Sequence, residues 1–403
     1  MIENFDQLME QAGDLHAKGN LPGAVKIYAN LIALQPDNDI VRFFDALAQF
    51  DLGNRTSAIE TMQGIAKRLP EIPKIRMDLG SMLEREHRHE EALVQFSAAT
   101  RLNPRDPAAH IMVGHMLMQL GKPAQAAKAV KSYNKALQLA PGNHVARLAL
   151  ARALMITGRW AEADTECAAV LARIPGHTGA MAMQSVICYE LGRADEARAI
   201  MDFDKRLMSL DIADTRGLPE ADLLNAALAE AVSTHPSIAY EPKDYSTKKG
   251  YHTGEIANEE SGPIHELLNW IRAEIDAVIA ESRATRDDAF ARNAPAAYRL
   301  NAWGVVMEDQ GHQSSHIHRD AWLSGVYYIK VPASVTETDP DHAGWIEFGT
   351  PHDYPKRKTT SDITLIRPRP GKAILFPSYF YHRTIPLRST DTRICIAFDA
   401  IPV

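Results

Sequence analysis

A period of 34 residues runs through the first half of the chain and constrains its fold more than any other feature. An alanine recurs at this interval, a glycine or histidine precedes each alanine by five residues, and a proline follows in step. The period lengthens once, by three residues between Ala126 and Pro141, which is close to one helical turn. The alanines are Ala24, Ala58, Ala92, Ala126, Ala163 and Ala197, the residues before them are Gly19, Gly53, His87, Gly121, Gly158 and Gly192, and the prolines are Pro36, Pro70, Pro104, Pro141 and Pro175. A unit of this length holds two short helices, so the pattern predicts stacked helix pairs.

Each recurring residue has a physical role in such a helix pair. Glycine allows the tight turn between two antiparallel helices, alanine lets the helices approach closely, and proline ends the second helix. The pattern resembles tetratricopeptide repeats, about six of them over residues 5–200. The resemblance implies an α-solenoid whose concave face binds a protein or peptide partner. An inert spacer or a dimerisation element is the alternative that the repeats leave open.

The composition disfavours several classes of protein. A formal net charge of −7 argues against a nucleic-acid partner, and no apolar stretch approaches the roughly 20 residues needed to cross a bilayer. The N-terminal segment lacks the basic start and apolar run of a signal peptide. The three cysteines, Cys167, Cys188 and Cys395, lie too far apart for a disulfide framework or a zinc site. These features predict a cytoplasmic protein without nucleic-acid or membrane partners.

The repeat pattern ends near residue 200, and the chain then changes character. Residues 201–240 are predicted to be a helical bridging segment, because an amphipathic helical pattern runs up to Pro236. A further helix is predicted from about Pro263 to Ser282. Strands are then predicted for five short segments rich in β-branched and aromatic residues, YRLNAWGVVM, LSGVYYIKV, GWIEFG, KAILFP and TRICIAFDA. Strands without helices between them favour a sandwich or barrel, and we assign residues 241–403 to this domain.

Candidate metal ligands lie in two segments of the second domain. In the segment HQSSHIHRDAWLSGVYYI, His316, His318 and Asp320 occupy alternate positions. Residues two apart point to the same face of an extended chain, so these three side chains are expected to line one face. The segment GKAILFPSYFYHRTIPL contributes His382, and Arg393 follows eleven residues later in the last strand.

This order of residues resembles the double-stranded β-helix oxygenases that use Fe(II) and 2-oxoglutarate. Their pattern is an HxD or HxE pair, a distant histidine and an arginine about ten residues beyond it. The likeness is greatest to a bacterial and phage group of oxygenases with an H-x-H pair, LSGVYY, FP and a distant histidine. The aspartyl/asparaginyl β-hydroxylases share these motifs, and their oxygenase domain also follows a helical repeat region. The resemblance implies a jelly-roll or cupin-like barrel with flanking helices, fused to the repeats.

The chemistry that the resemblance implies needs Fe(II) as cofactor, with 2-oxoglutarate and O2 as co-substrates. Oxidative decarboxylation of 2-oxoglutarate would drive hydroxylation of a C–H bond. A metal held by one face leaves its other positions open for the co-substrates. No catalytic residue beyond the iron centre is implied.

Two sets of metal ligands remain open. In the first set, His316, His318 and His382 bind the metal, and Asp320 acts from outside its ligand shell. In the second set, His318 and Asp320 form an ordinary HxD pair with His382, and His316 is not a ligand. We prefer the first set, because the spacing of His316 to the LSGVYYI strand fits the resemblance better. The β-hydroxylases lack the carboxylate altogether, so its absence does not exclude catalysis.

Two further residues are candidates for binding 2-oxoglutarate. In the last strand, alternation places Arg393, Cys395 and Ala397 on one face, and the apolar residues Ile394, Ile396 and Phe398 on the other. The guanidinium of an inward-pointing Arg393 would match the distal carboxylate with two parallel hydrogen bonds. The same alternation in LSGVYYIKV makes Tyr328 a possible hydroxyl donor to that carboxylate.

We therefore expect a dioxygenase that hydroxylates a polypeptide recruited by the repeats. The rival hypotheses are a small-molecule hydroxylase, a three-histidine cupin-type dioxygenase that does not use 2-oxoglutarate, and a non-catalytic adaptor with a degenerate barrel. Arg393 discriminates between them, because only the enzymes that use 2-oxoglutarate need such an anchor.

Overall fold

The computed structural model describes residues 5–216, 218–241, 246–351 and 354–403. The chain divides into two compact units, Met1–Thr157 and Gly158–Val403. None of the helices in these described ranges is long and apolar enough to span a membrane.

The first unit consists of antiparallel helix pairs. Its helices are α1 (Phe5–Ala17), α2 (Leu21–Leu34), α3 (Asp39–Leu52), α4 (Arg55–Arg68), α5 (Pro73–Arg85), α6 (His89–Leu102), α7 (Pro107–Gln119), α8 (Pro123–Leu139) and α9 (His144–Ile156). The extra residues in the period lengthen one helix, since α8 has 17 residues where α6 has 14. The predicted α-solenoid is confirmed.

The recurring residues occupy the places that the period predicts. The backbone φ of the five glycines and of His87 lies between 57° and 107°, the left-handed region required by a tight turn between helices. The six alanines are at most 3% exposed, so they lie where neighbouring helices meet. Close helix packing also needs Gly114, because a Cβ at this position would lie 2.6 Å from the ring of Tyr133.

The second unit begins with the last helices of the repeat pattern and continues into the β-rich domain. Its helices are α10 (Trp160–Leu171), α11 (Thr178–Glu190), α12 (Ala194–Ile200), α13 (Phe203–Arg206), α14 (Ala213–Arg216), α15 (Leu218–Ser233), α16 (Gly262–Thr285) and α17 (Ala289–Arg292). Its strands are β1 (Met208–Asp211), β2 (Ala239–Tyr240), β3 (Thr247–His252), β4 (Tyr298–Gln313), β5 (Leu323–Lys330), β6 (Ile346–Phe348), β7 (Thr364–Ile366), β8 (Lys372–Pro377), β9 (His382–Thr384) and β10 (Arg393–Pro402).

The strands form two antiparallel sheets that face each other. The larger sheet has the order β1-β8-β5-β10-β4-β3-β2, and the smaller has the order β7-β6-β9. Phe348 of the smaller sheet meets Phe376 of the larger, with their ring centroids 4.9 Å apart. Helices α15 and α16 cover the opposite face of β5, where the Tyr327 hydroxyl donates to Asn225 over 2.7 Å and Trp270 packs on the Tyr327 ring. This is the predicted barrel with flanking helices.

The segment 201–240 differs from the predicted helical bridge. It contains α15, but it also contributes β1 and β2 to the larger sheet. Strand β1 pairs with β8 from Met208↔Leu375 to Asp211↔Lys372. The strand MSLD was not predicted because it is only four residues long, and its pairing partner lies more than 160 residues away in the chain.

Helix α11 lies against the β-rich part of the second unit. The hydroxyl of Thr178 donates to the carbonyl of Ala321 over 3.1 Å. At the other end of the helix, the Glu190 carboxylate accepts hydrogen bonds from the backbone of Lys358 and Thr359 at 2.9 and 2.8 Å. Thr178 and every residue from Ala180 to Tyr189 are buried. Helix α11 is therefore packed as part of the core of this unit.

Candidate metal centre

Three histidine side chains converge between the two sheets. One potential ligand atom from each of His316, His318 and His382 lies within 4.8 Å of the other two. The ring centroids are 5.1 Å apart for His316 and His318, 4.2 Å for His316 and His382, and 5.1 Å for His318 and His382. His382 lies at the start of β9, and its backbone forms an isolated antiparallel bridge with His316. This bridge holds two of the three rings in register.

The hydrogen bonds of the three rings indicate which nitrogen of each carries a proton. Nδ1 of His316 lies 2.7 Å from the carbonyl of Ser314, and Nδ1 of His382 lies 3.0 Å from the carbonyl of Phe380. Nδ1 of His318 lies 2.8 Å from a carboxylate oxygen of Asp399. These oxygens accept hydrogen bonds, so each Nδ1 carries a proton and each Nε2 offers a lone pair. Nε2 of His318 has no partner among the described residues, as expected of a metal ligand.

The surroundings of His382 favour its neutral form. His382 is buried, and its burial, together with the neighbouring His316 and His318, lowers its pKa well below the usual value. Trp303 stacks on the ring of His318 with centroids 5.8 Å apart, and His252 stacks on Trp303 at the same distance. A metal ion needs deprotonated nitrogen ligands, so the lowered pKa of His382 suits this role.

Asp320 lies outside the three-histidine group. The chain leaves strand β4 at Gln313 and turns at residues 319 and 320, so the predicted alternation along one extended face ends at His318. The backbone N–H of Ala321 donates to the carbonyl of His318 over 3.4 Å, which closes this turn. As a result, the Asp320 side chain is exposed. The choice between the two predicted ligand sets stays a prediction, and the geometry favours the set with His316.

Arg393 is buried in the same cavity as the three histidines. The cavity is lined by His316, His318, His382, Tyr328 and Arg393. The guanidinium is 1% exposed and donates from Nη1 to the carbonyl of Gly344 over 2.6 Å. Nη2 lies 2.7 Å from the sulfur of Met307, and Nε has no hydrogen-bond partner in the part of the chain that is described. A buried cation without an anionic partner is costly, and a bound carboxylate would satisfy it.

Tyr328 offers a second polar group that lacks a partner in this cavity. Its hydroxyl makes no hydrogen bond to any described residue although the side chain is 1% exposed. Burial raises the pKa of this phenol, while the nearby Arg393 opposes the shift, so the hydroxyl keeps its proton and can donate. Within the described ranges, a hydroxyl donor without a partner and a cation without an anion therefore line the same cavity.

His316 and His318 also line a second and more open pocket. It shares these two histidines and Trp303 with the first cavity, and Asp320 and Glu255 are among its polar lining residues. Because the two histidines line both pockets, a metal ion bound by them would border both. The first cavity contains the buried cation, and the second pocket is more open to solvent.

Asp399 is the residue at this site that the sequence analysis missed. Its carboxylate is bonded to His318, and its Cα pairs with that of Ser324 across β10 and β5. The alternation that placed Arg393, Cys395 and Ala397 on one face continues to Asp399, so the last strand contained the signal.

Comparison with protein families recognises both parts of the chain. Residues 301–399 match the family described as "Putative 2OG-Fe(II) oxygenase". Tetratricopeptide repeat families match residues 45–96, 77–144 and 125–183. The predicted combination of tetratricopeptide repeats with a domain of this oxygenase family is confirmed.

Several solved structures are similar to parts of the chain. The crystal structure of MamA shares 21% identity, with a TM-score of 0.38 over 41% of this chain and 94% of that one. A tetratricopeptide repeat protein from Parabacteroides merdae ATCC 43184 shares 18% identity, with a TM-score of 0.42 over 55% and 82%. YrrB, described as a TPR protein with an unusual peptide-binding site, shares 20% identity, with a TM-score of 0.40 over 44% and 91%. Among curated proteins, none matches this chain.

Proposed function

We propose that the protein is an Fe(II)- and 2-oxoglutarate-dependent dioxygenase that hydroxylates a polypeptide. The observation that carries the proposal is that the three-histidine group shares one cavity with the guanidinium of Arg393, which forms no ion pair with any described residue. A cavity with only the histidines would suit many metal enzymes. The buried guanidinium adds a site for a carboxylate within the same enclosed space.

Each residue has a defined task in this proposal. His316, His318 and His382 hold Fe(II) through Nε2, and Arg393 binds the distal carboxylate of 2-oxoglutarate with help from the Tyr328 hydroxyl. The iron supplies oxidative chemistry that couples decarboxylation of 2-oxoglutarate to hydroxylation of a C–H bond. The apolar lining residues, which include Val326, limit the access of water to the co-substrate.

A polypeptide substrate is supported by two features. Tetratricopeptide repeats present extended surfaces that bind peptides and proteins. The open pocket beside His316 and His318 can admit a side chain whose backbone stays outside. A substrate tethered by the repeats would reach this pocket at a high effective concentration.

The test of the iron and 2-oxoglutarate assignment is an anaerobic Fe(II) titration of the full chain, with and without 2-oxoglutarate. We expect the weak visible charge-transfer band of the Fe(II)–2-oxoglutarate chelate, and no such band with succinate as the control. A chain that binds Fe(II) but shows no band at saturating 2-oxoglutarate would contradict the proposal. That outcome would favour a three-histidine dioxygenase that does not use 2-oxoglutarate.

The polypeptide assignment needs a separate experiment. Peptides from a displayed library that bind the full chain are incubated with Fe(II), 2-oxoglutarate and air, and their masses are measured. We expect the mass of one added oxygen atom on some peptides, and none with the His382→Ala variant. Turnover of 2-oxoglutarate without any modified peptide would contradict the polypeptide assignment and favour a small-molecule substrate.

A further inference from the structure

A closed ring of hydrogen bonds lies behind His318 on the side away from the other two histidines. The His318 Nδ1–H donates to one oxygen of Asp399 over 2.8 Å, and the hydroxyl of Ser324 donates to the other oxygen over 2.6 Å. The hydroxyls of Ser324 and Ser378 are 2.8 Å apart. The ring closes through the backbone, since the N–H of His318 donates to the carbonyl of Ser378 over 3.1 Å.

The direction of each bond in this ring is set by chemistry. The Ser324 hydroxyl donates its proton to Asp399, whose carboxylate oxygen accepts it. Ser324 must then accept from Ser378, whose proton points to it. All four residues therefore have defined roles, and the tautomer of His318 with a proton on Nδ1 follows from them.

Burial of these residues makes the ring of hydrogen bonds unfavourable for the free energy of folding, which indicates a functional role. Both serines are fully buried and Asp399 is 8% exposed, and no described lysine or arginine forms an ion pair with this carboxylate. Ser324 and Asp399 lie opposite each other on β5 and β10, and Ser378 follows directly after β8. A buried carboxylate held by neutral donors costs free energy that an apolar side chain in the same place would not.

We propose that Asp399 is a positioning residue that orients His318 and supplies the negative charge missing from a three-histidine metal site. The proposal rests on the proposed metal centre. Three neutral imidazoles leave the full double charge of a divalent cation uncompensated. A carboxylate bonded to Nδ1 raises the basicity of Nε2 of the same ring, so part of its charge reaches the metal through His318.

The substitution Asp399→Asn removes the negative charge of the side chain and keeps its shape, so it tests the two contributions separately. The amide oxygen can still accept from His318 and the amide nitrogen can donate to Ser324, so the ring of hydrogen bonds is largely kept while the charge is lost. We expect divalent metal affinity to fall by about 10- to 100-fold, the range for residues that orient metal ligands. Ser324→Ala keeps the charge but frees one carboxylate oxygen, so a smaller loss is expected.

The measurement is a titration of the full-length chain with Co(II). Binding is monitored by calorimetry and by the visible d–d absorption bands of the bound ion. Asp391→Asn is the matched control, because Asp391 precedes the same strand but pairs with Lys330 at the surface. We expect weaker binding and altered d–d bands for Asp399→Asn, and wild-type behaviour for the control. The thermal midpoint of each variant shows whether it is folded, and Ser324→Ala serves as the test if Asp399→Asn does not fold.

The outcomes distinguish this inference from the proposed function. Wild-type Co(II) affinity and spectrum in folded Asp399→Asn would overturn the role of Asp399 and leave the metal centre intact. Failure of the wild-type chain to bind Co(II) would overturn the metal centre and this inference together.

Discussion

At the scale of single residues, the burial of the Arg393 guanidinium costs the second unit desolvation free energy. A folded protein rarely buries a cation without an anion, since its removal from water costs several kcal/mol, of the order given for buried ions. The contacts of Arg393 with the carbonyl of Gly344 and the sulfur of Met307 compensate for only part of that loss. A bound carboxylate, as proposed for 2-oxoglutarate, would compensate for the rest.

Substitution of Arg393 should weaken 2-oxoglutarate binding with little effect on the metal. Arg393→Lys keeps the charge but removes the planar fork, and loss of one charged hydrogen bond costs about 1.5–3 kcal/mol. We expect the apparent 2-oxoglutarate affinity to fall by about tenfold or more, and to fall further in Arg393→Ala. The measurement is a 2-oxoglutarate titration at saturating Fe(II), with exposed Arg299→Lys as the control. Unchanged affinity in Arg393→Ala would remove the main support for 2-oxoglutarate as co-substrate.

The two possible ligand sets make opposite predictions for His316 and Asp320. Asp320 is exposed in a turn, while His316 lies in the three-histidine group. We expect Asp320→Ala to retain bound metal and His316→Ala to lose most of it. A ligand atom of His316 lies within 4.8 Å of those of His318 and His382, and Asp320 does not belong to this group. The metal content per chain, measured after anaerobic loading and desalting, distinguishes the two ligand sets. If Asp320 proves essential and His316 dispensable, the ordinary HxD triad is the correct assignment.

At the scale of elements, α11 connects the last repeat to the segments around the candidate site. Its first residue, Thr178, holds the carbonyl of Ala321 just after the histidine pair. Its last residue, Glu190, holds the loop at residues 358 and 359. The same loop region contains Tyr354, which packs on Trp160 of α10 with centroids 6.3 Å apart. Helix α11 thus supports two chain segments that the β-sheets alone do not fix.

Removal of the Glu190 carboxylate should loosen the loop that it holds. The carboxylate accepts from two backbone N–H groups and from the Thr359 hydroxyl. Because the contact is partly exposed, we expect a loss of about 1–2 kcal/mol of local stability in Glu190→Ala. Amide hydrogen exchange at Lys358 and Thr359 should then be about tenfold faster. The control is Glu196→Ala, which removes a surface partner of Arg193. Equal protection in both variants would show that the loop is held by other contacts.

At the scale of the whole molecule, the boundary between the compact units, after Thr157, differs from the end of the repeat pattern in the sequence. The repeat pattern reaches residue 200, yet helices α10 to α12 belong to the same compact unit as the sheets. The domain boundaries at 200 and 240 stay predictions, and fragments of the chain can test them.

Two fragments should behave differently if α10 to α12 are needed by the β-rich part. A fragment of residues 158–403 keeps the contacts of Thr178 and Glu190, whereas one of residues 201–403 loses them and uncovers the surface beneath α11. We expect the longer fragment to be monodisperse and to bind Co(II), and the shorter to aggregate or to bind metal weakly. Light scattering and a Co(II) titration measure both properties. Equal behaviour of the two fragments would place the domain boundary near residue 200, as the sequence predicted.

The sequence by itself determined those features that depend on local periodicity. The 34-residue repeat predicted the tight turns at the glycines and at His87, and the backbone at all six positions is left-handed, a conformation that favours glycine. The two-residue alternation in the last strand placed Arg393 on the cavity side, because strand geometry fixes which side chains share a face.

The tertiary structure alone decided the features that depend on distant parts of the chain. The turn that takes Asp320 out of the histidine group occurs beside strands contributed by later segments. The role of Asp399 became visible only when β10 was placed beside β5 and the His318 ring, 81 residues away in sequence. The pairing of strand β1 and the contacts of α11 also join segments that are distant in the sequence. Such contacts depend on which surfaces pack together, and no pattern within a short window of sequence records that choice.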